Sequence, residues 1–374
     1  MFWYIYLVMK PFFSFVKIFL YPFALVYGAV VWLRNRLYDT GFFSSVQFSV
    51  PIITVGNLSV GGTGKTPHVE YLIRLLQYRY RVATMSRGYK RRTQGFLLAT
   101  EDTNALRIGD EPMQYFMKFP DLAVSVAEER MTGIPSLIQK RPETEVVLLD
   151  DAYQHRSVKA GRNILITDYS KPFFKDYILP IGTLREGRNA YQRANIIIVS
   201  KCPADLNKTA ADEIIQRINP LPQQQVFFTT IEYGTAYDMF TREAVSMQGK
   251  NALIVCGIAK PEPFVQHIKK HTEDTHILTY ADHHYFLNRD IEEIKEAYNN
   301  WGVNNKVIIT TEKDATRLHL HADKLKEWGV QIAVLPIQVA FLFNGNVAFD
   351  SAINSYIENE ISGENNELIY EEIL

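Results

Sequence analysis

Hydrophobic and polar residues fall into three regimes along the chain. Residues 1–33 are nearly all apolar or aromatic, interrupted chiefly by Lys10, Pro11, Lys17 and Pro22. From residue 51 onward, short β-branched runs alternate with stretches of helical period, the pattern of an α/β fold with a mostly parallel sheet flanked by helices. The strands predicted in this part are 51–55, 81–85, 122–127, 146–149, 163–167 and 196–200. A polar link at 233–249 precedes a second alternating series, 252–256, 276–280, 307–311 and 332–336, which predicts a second, smaller α/β domain. From residue 358 the charged residues are Glu358, Glu360, Glu364, Glu367, Glu371 and Glu372, with no Lys or Arg, which predicts a solvated acidic extension.

The first regime has the composition of a membrane-contacting helix. Its longest uncharged run, 18–33, holds about 16 residues, fewer than the ~20 a straight spanning helix needs. That favours lying on the bilayer over crossing it. Lys10, Lys17, Arg34 and Arg36 can meet anionic headgroups, and Trp3, Tyr4, Tyr6 and Trp32 are ring types that favour the interface. A signal peptide would need a shorter apolar core and a small-residue cleavage site, neither of which is evident.

The strongest local signal is Gly56-Asn57-Leu58-Ser59-Val60-Gly61-Gly62-Thr63-Gly64-Lys65-Thr66-Pro67, which follows the strand at 51–55. It opens a stretch in which Val69, Leu72, Ile73 and Leu76 recur at helical spacing, and Pro67 suits a first turn that needs no backbone donor there. Such a loop wraps phosphates with bare N–H groups, while its lysine adds charge at the β and γ oxygens and its threonine can hold magnesium. Gly61, Gly62, Thr63, Gly64, Lys65 and Thr66 are therefore the candidate ATP contacts. The usual pattern has a glycine five residues before Gly64, where this chain has Ser59. The expected companion is an apolar strand ending in a carboxylate, and Val146-Val147-Leu148-Leu149-Asp150-Asp151 supplies it. Asp150 is the candidate magnesium-linked residue, with Thr66. Asp151 can join them only if the chain turns there, because successive strand side chains point to opposite faces.

The organisation that follows is an N-terminal membrane-associated helical segment at 1–37, a P-loop nucleotide-binding domain at 38–228, a smaller α/β domain at 229–350, and an acidic tail at 351–374. Composition is consistent with this. The chain has 374 residues, 47% hydrophobic and 22% charged, with a net charge of -1 that gives no overall field for steering onto nucleic acid. Its two cysteines, Cys202 and Cys256, are far apart and lack metal-ligand spacing, so both read as small core side chains.

Several further segments, in order, carry a resemblance. They are Ser86-Arg87-Gly88-Tyr89, Gly109-Asp110-Glu111-Pro112, Asp150-Asp151-Ala152-Tyr153-Gln154-His155, Leu179-Pro180-Ile181-Gly182-Thr183-Leu184-Arg185-Glu186, Asp282-His283 and Thr310-Thr311-Glu312-Lys313-Asp314-Ala315. With the phosphate loop they resemble the lipid A 4'-kinase (tetraacyldisaccharide 4'-kinase) family of P-loop NTPases, over most of the chain after the apolar segment. The family usually has Gly-Phe where this chain has Ala152-Tyr153.

The resemblance implies a membrane-attached enzyme that moves the γ-phosphoryl of ATP, with Mg2+, to the 4'-hydroxyl of a tetraacyl disaccharide 1-phosphate. It places the reaction at the cytoplasmic face of the bacterial inner membrane, with no nucleic acid and no obligatory protein partner. It also implies that the smaller domain closes over the nucleotide, that Asp110 is the base for the acceptor hydroxyl and that His283 is its orienting partner. Spacing alone leaves Asp110 equally readable as a helix cap, and Asp282-His283-His284 as a turn or an adventitious metal site. Arg87, Lys90, Arg91 and Arg92 form the one dense basic cluster, either a contact for the substrate phosphate or anionic lipid, or a solvated loop. Asn57, Arg87 and Arg185 are the candidate substrate contacts.

Two rival classes share the motif core. Partition and division ATPases usually carry lysine before the paired glycines, where this chain has Val60. A GTP-binding assembly chaperone would depend on base recognition near Ser200-Lys201.

Overall fold

The computed structural model describes the backbone of residues 2–371 and the side chains of residues 18–363. Among the sequence expectations, those for Trp3, Tyr4, Tyr6, Lys10 and Lys17 at the interface and for Glu364, Glu367, Glu371 and Glu372 in the acidic extension lie outside the described residues.

The chain opens with α1 (Phe2–Asp39), then β1 (Ile52–Gly56) leads through the glycine loop into α2 (Lys65–Leu76). Next come β2 (Val82–Ser86), β3 (Leu97–Leu98), α3 (Ala105–Ile108), α4 (Asp110–Lys118), β4 (Ala123–Val126) and α5 (Arg130–Lys140). They are followed by β5 (Val146–Asp150), β6 (Arg162–Asp168), β7 (Ile196–Ser200), α6 (Lys208–Ile218) and β8 (Gln225–Tyr233). A third stretch holds β9 (Tyr237–Asp238), β10 (Asn251–Cys256), α7 (Glu262–Lys269), β11 (Thr275–Thr279), α8 (Asn288–Asn300), β12 (Lys306–Thr311), α9 (Glu312–Leu318), α10 (Ala322–Trp328) and β13 (Ile332–Leu335). The chain ends with β14 (Ile337–Phe341) and α11 (Gly345–Glu371). Two compact units result: Met1–Arg81, Thr144–Ile231 and Ala340–Leu374 form one, and Val82–Glu143 with Glu232–Val339 form the other.

In the first unit β1 lies between β5 and β6, followed by β7 and β8, and every one of these pairings is parallel. All five residues of β1, β5 and β7 are buried, which is why these strands read as unbroken apolar runs instead of alternating ones. Helix α2 packs through Val69, Leu72, Ile73 and Leu76, all at most 1% exposed. Helix α11 buries Phe349, Ile353, Tyr356 and Ile357, and the Tyr356 hydroxyl meets both N and O of Ile52 at 3.2 Å. The acidic stretch thus begins on a packed helix, with Glu358 paired to Arg79 at 2.7 Å.

Helix α1 inverts the usual amphipathic logic. Its buried or half-buried positions include Ala24, Tyr27, Gly28, Val31, Arg34, Asn35 and Tyr38, a stripe of helical period. The large apolar residues Ile18, Phe19, Phe23, Val26, Val30, Trp32 and Leu33 are exposed on the remaining surface. The segment Ile18–Asp39, 22 residues with mean hydropathy 1.3, is long and apolar enough to cross a membrane. So large an exposed apolar face on one helix marks a candidate for membrane association.

The second unit contains the parallel pair β2 and β4, with β3 antiparallel to β4. Its other sheet has the order β11-β10-β12-β13-β9, parallel except at β9. Alternate residues of these strands supply two separate cores: Leu253, Val255, Ile308 and Val334 belong to one, and Ala252, Ile254, Val307, Ile309 and Ala333 to the other. Cys202 and Cys256 are free and buried, one in each unit.

Candidate active site

The glycine loop hangs between β1 and α2. Gly61 and Gly64 have φ of 110° and 90°, a region that side chains with a Cβ rarely adopt, and Gly64 is the N-cap residue just before α2. The first half of the loop is extended instead. Ser59 bridges Leu184 in antiparallel fashion, Val60 N donates to Thr183 O at 2.8 Å and Arg185 N to Leu58 O at 2.6 Å. An extended residue needs no positive φ, so serine is accommodated where the usual motif has glycine.

Several side chains brace the loop. Asn57 is fully buried, its amide donating to Thr63 Oγ1 at 2.9 Å and accepting from Lys65 Nζ at 3.4 Å. Ser200 Oγ donates to Thr63 O at 2.5 Å, and Lys201 Nζ donates to Gly62 O while pairing with Asp168 at 3.2 Å. The pair that base recognition would require in a GTP-binding chaperone is therefore engaged with loop carbonyls. His68 Nδ1 lies 2.7 Å from Gly64 O, which can only accept, so this nitrogen carries the proton and Nε2 accepts from the Thr229 hydroxyl at 3.0 Å. Burial pushes the His68 pKa down to about 4, which keeps the ring neutral.

The carboxylates stand at the end of β5. Asp150 is paired in register with Val55, one residue before the loop begins, and is buried. Asp151 has φ 50°, so the chain does turn immediately after the strand, and the left-handed residue is the aspartate, not Ala152. Asp is among the few residues that tolerate this conformation. Asp151 is 3.5 Å from Lys65 Nζ and 3.2 Å from Arg185 Nη1. Burial pushes its carboxyl up, but Lys65 and then Arg185 outweigh that and hold it below the usual carboxylate range. Thr66, half-buried, is the second residue of α2.

Helix α1 docks onto the same region. Tyr27 donates to Arg185 O at 3.0 Å, Arg34 to Gln154 O at 2.8 Å, and Asn35 to Glu186 at 2.8 Å. Gln154 in turn accepts from Arg185 at 3.3 Å and donates to Asn57 O at 2.9 Å. Tyr27, Arg34 and Asn35 carry no motif signal, although a spacing of seven from Tyr27 to Arg34, two helical turns, could have marked one docked face.

In the second unit Gly109 (φ 92°) ends α3 and begins α4, and a Cβ there would lie 3.0 Å from Tyr89 O. Asp110 is consequently the first helical residue and makes no cap of its own. It lies 2.8 Å, through Oδ2, from His283 Nδ1, a residue 173 positions away in sequence, and its Oδ1 is buried without a hydrogen-bond partner among the described residues. The Tyr89 ring meets the His283 ring edge-on at 5.4 Å. Glu111 pairs with Lys313 at 2.5 Å. Burial pushes the Glu111 carboxyl up, but Lys313 outweighs it and brings it down to about 2. Of the basic cluster, Arg91 is committed to Glu128 and to Gly95 O, whereas Arg87, Lys90 and Arg92 are exposed.

A family model described as LpxK, tetraacyldisaccharide-1-P 4'-kinase, matches residues 16–358. The chain belongs to the tetraacyldisaccharide-1-phosphate 4'-kinase family. It is 45% identical over 358 residues to a tetraacyldisaccharide 4'-kinase of Bacteroides thetaiotaomicron, covering 92% of this chain and 94% of that one. A 4'-kinase of Flavobacterium johnsoniae is 44% identical, covering 91% and 97%. Among solved structures, LpxK of Aquifex aeolicus in complex with ATP superposes with a TM-score of 0.72 at 26% identity, covering 91% of this chain and 99% of that one. These findings bear out the 4'-kinase resemblance and the α/β architecture read from the sequence, and they do not favour the partition-type ATPase.

Proposed function

We propose that this 4'-kinase transfers the γ-phosphoryl of ATP to the 4'-hydroxyl of a tetraacyl disaccharide 1-phosphate, using Asp110 as the base. The observation that carries the proposal is the state of Asp110. One carboxylate oxygen takes a hydrogen bond from His283 and the other is buried with no partner among the described residues, so one oxygen is fixed and the other is free to accept a hydroxyl proton. As the proton leaves for Asp110, the acceptor oxygen forms its bond to phosphorus and ADP departs.

Phosphoryl transfer needs positioning and charge neutralisation more than covalent catalysis. In this reading the N–H groups of Gly61, Gly62, Thr63 and Gly64 cradle the triphosphate at the start of α2, and Lys65 moves its charge from Asp151 to the β and γ oxygens. Thr66, Asp150 and Asp151 offer one hydroxyl and two carboxylates, the hard oxygen set that magnesium takes, and Asp151 is already held ionised. Bound there, Mg2+ neutralises charge on the phosphates. Arg185 and Arg87 are the cations for the acceptor's phosphate, and Asn57 serves from within by bracing the loop.

The site of action in this reading is the cytoplasmic face of the bacterial inner membrane, with the exposed apolar face of α1 resting in the lipid. An acceptor with four acyl chains is delivered from the same bilayer. The test is a phosphoryl-transfer assay with radiolabelled ATP and a tetraacyl disaccharide 1-phosphate in mixed micelles. Label on the 4'-oxygen is expected. ATP hydrolysis that ignores the lipid and rises with DNA or a protein partner would overturn the proposal.

A further inference from the structure

We infer that Arg317 is a positioning residue for the phosphoryl acceptor's base, clamping Asp110 and the loop that carries His283 into one arrangement. The inference rests on the reading of Asp110 as that base. Arg317 lies on α9 with its side chain 1% exposed, inside the second unit. Its Nε is 3.7 Å from Asp110 Oδ2, the same oxygen that His283 Nδ1 approaches at 2.8 Å. Its Nη2 pairs with Asp314 Oδ1 at 2.7 Å and donates to Gly257 O at 3.2 Å, and its Nη1 donates to His284 O at 3.1 Å.

Those two carbonyls bracket the strained part of the loop. His283 has φ 57°, a left-handed conformation that is costly for a non-glycine residue and persists only where the surroundings enforce it. The His283 N–H itself donates to Gly257 O at 3.2 Å, so one guanidinium touches the acceptor of the His283 backbone, the carbonyl of the next residue and the carboxylate bonded to the His283 ring. A planar donor fork can hold both carbonyls and Asp314 while its Nε donates to Lys313 O at 3.4 Å and sets positive charge 3.7 Å from Asp110, and the single ammonium of a lysine does not offer that geometry.

Charge adds a second reason. Asp110 and Asp314 are both buried, at 2% and 0% exposure, around the single Arg317 side chain. Without the guanidinium, two buried carboxylates would share a site without a counter-charge, and one would take up a proton. The neighbouring Lys313 is itself paired with Glu111. Without Arg317, Asp314 would keep its contacts with Thr311 Oγ1 at 2.6 Å and Gly257 N at 3.0 Å, whereas Asp110 would keep the one with His283 at 2.8 Å.

The experiment compares the full chain in detergent micelles as wild type, Asp110→Ala, Arg317→Ala and the double variant, with kcat at saturating ATP and lipid and ATP affinity from a fluorescent analogue. Arg317→Ala is expected to lower kcat roughly 100-fold while ATP affinity stays within about 2-fold, and to change the residual rate of Asp110→Ala by less than about 3-fold. Free guanidinium is expected to restore rate to Arg317→Ala and not to the double variant. Equal losses in both backgrounds, or an unchanged kcat, would overturn the inference. Should Arg317→Ala fail to bind ATP, Arg317→Lys is put through the same pair of backgrounds with the same criterion. Wild-type turnover in Asp110→Ala would instead refute the base assignment itself, whatever Arg317 does.

Discussion

Lys65 and Asp151 face each other at 3.5 Å, across the junction between the glycine loop and the end of β5. Lys65 therefore shares a counter-ion with Arg185, 3.2 Å from the same carboxylate. In the proposed mechanism nucleotide binding exchanges one anionic partner of the lysine for another. Replacing Lys65 by Met should lower kcat by about 10²- to 10³-fold, the usual effect of removing one preorganised charge from a transition state. Single-turnover transfer of labelled phosphoryl measures this, and a loss confined to KM would argue that the lysine only binds.

Asp110 and His283 should behave as a unit. Each alanine variant is expected to lose about 10²- to 10⁴-fold in turnover with near-normal ATP affinity. The double variant should be little slower than the slower single. Rate losses that multiply would show that the two side chains act independently.

The outward face of α1 carries the prediction about location. Changing Phe23, Val26, Val30 and Leu33, all more than half exposed, to Gln removes exposed apolar surface from α1. The variant should leave the membrane fraction and fail to float with vesicles while still binding ATP. Unchanged flotation would mean that another surface anchors the chain.

His68 links stability to pH. Its folded pKa is about 4 against an ordinary value near 6.5, so below about pH 6.5 the unfolded chain takes up a proton that the folded chain refuses. The contribution is complete above that pH and disappears as pH falls toward about 4. Melting temperature should therefore fall across this window in the wild type, and less steeply in His68→Asn, whose amide can still donate to Gly64 O. Parallel curves for the two proteins would count against a neutral buried histidine.

Much of the fold was legible because parallel strands buried on both faces announce themselves as apolar runs, and β1, β5, β7, β10 and β12 are such runs. The motif residues could be named for the same kind of reason: glycines with positive φ and a lysine at the start of a helix form a local pattern. Other features were hidden because they depend on contacts between distant segments. Ser59 is explained only by its pairing with Leu184, and the docked stripe of α1 only by the carbonyls of Gln154 and Arg185. Arg317 left one trace, its position three residues after Asp314 at the start of a helix, where such pairs meet. Its proximity to Asp110, more than half the chain away, had no local signature.

The interleaving of the two units has a practical consequence for anyone who wishes to dissect this enzyme. The chain passes from one to the other at 81/82, 143/144, 231/232 and 339/340, so neither is a continuous piece of the gene. Deleting everything after residue 231 would strip α11 and its Tyr356 contact from β1, and a fragment starting at residue 232 would lack Asp110. A protease nick at any one passage leaves three covalent connections in place. Studying either half by itself calls for re-joined or permuted genes, not truncation.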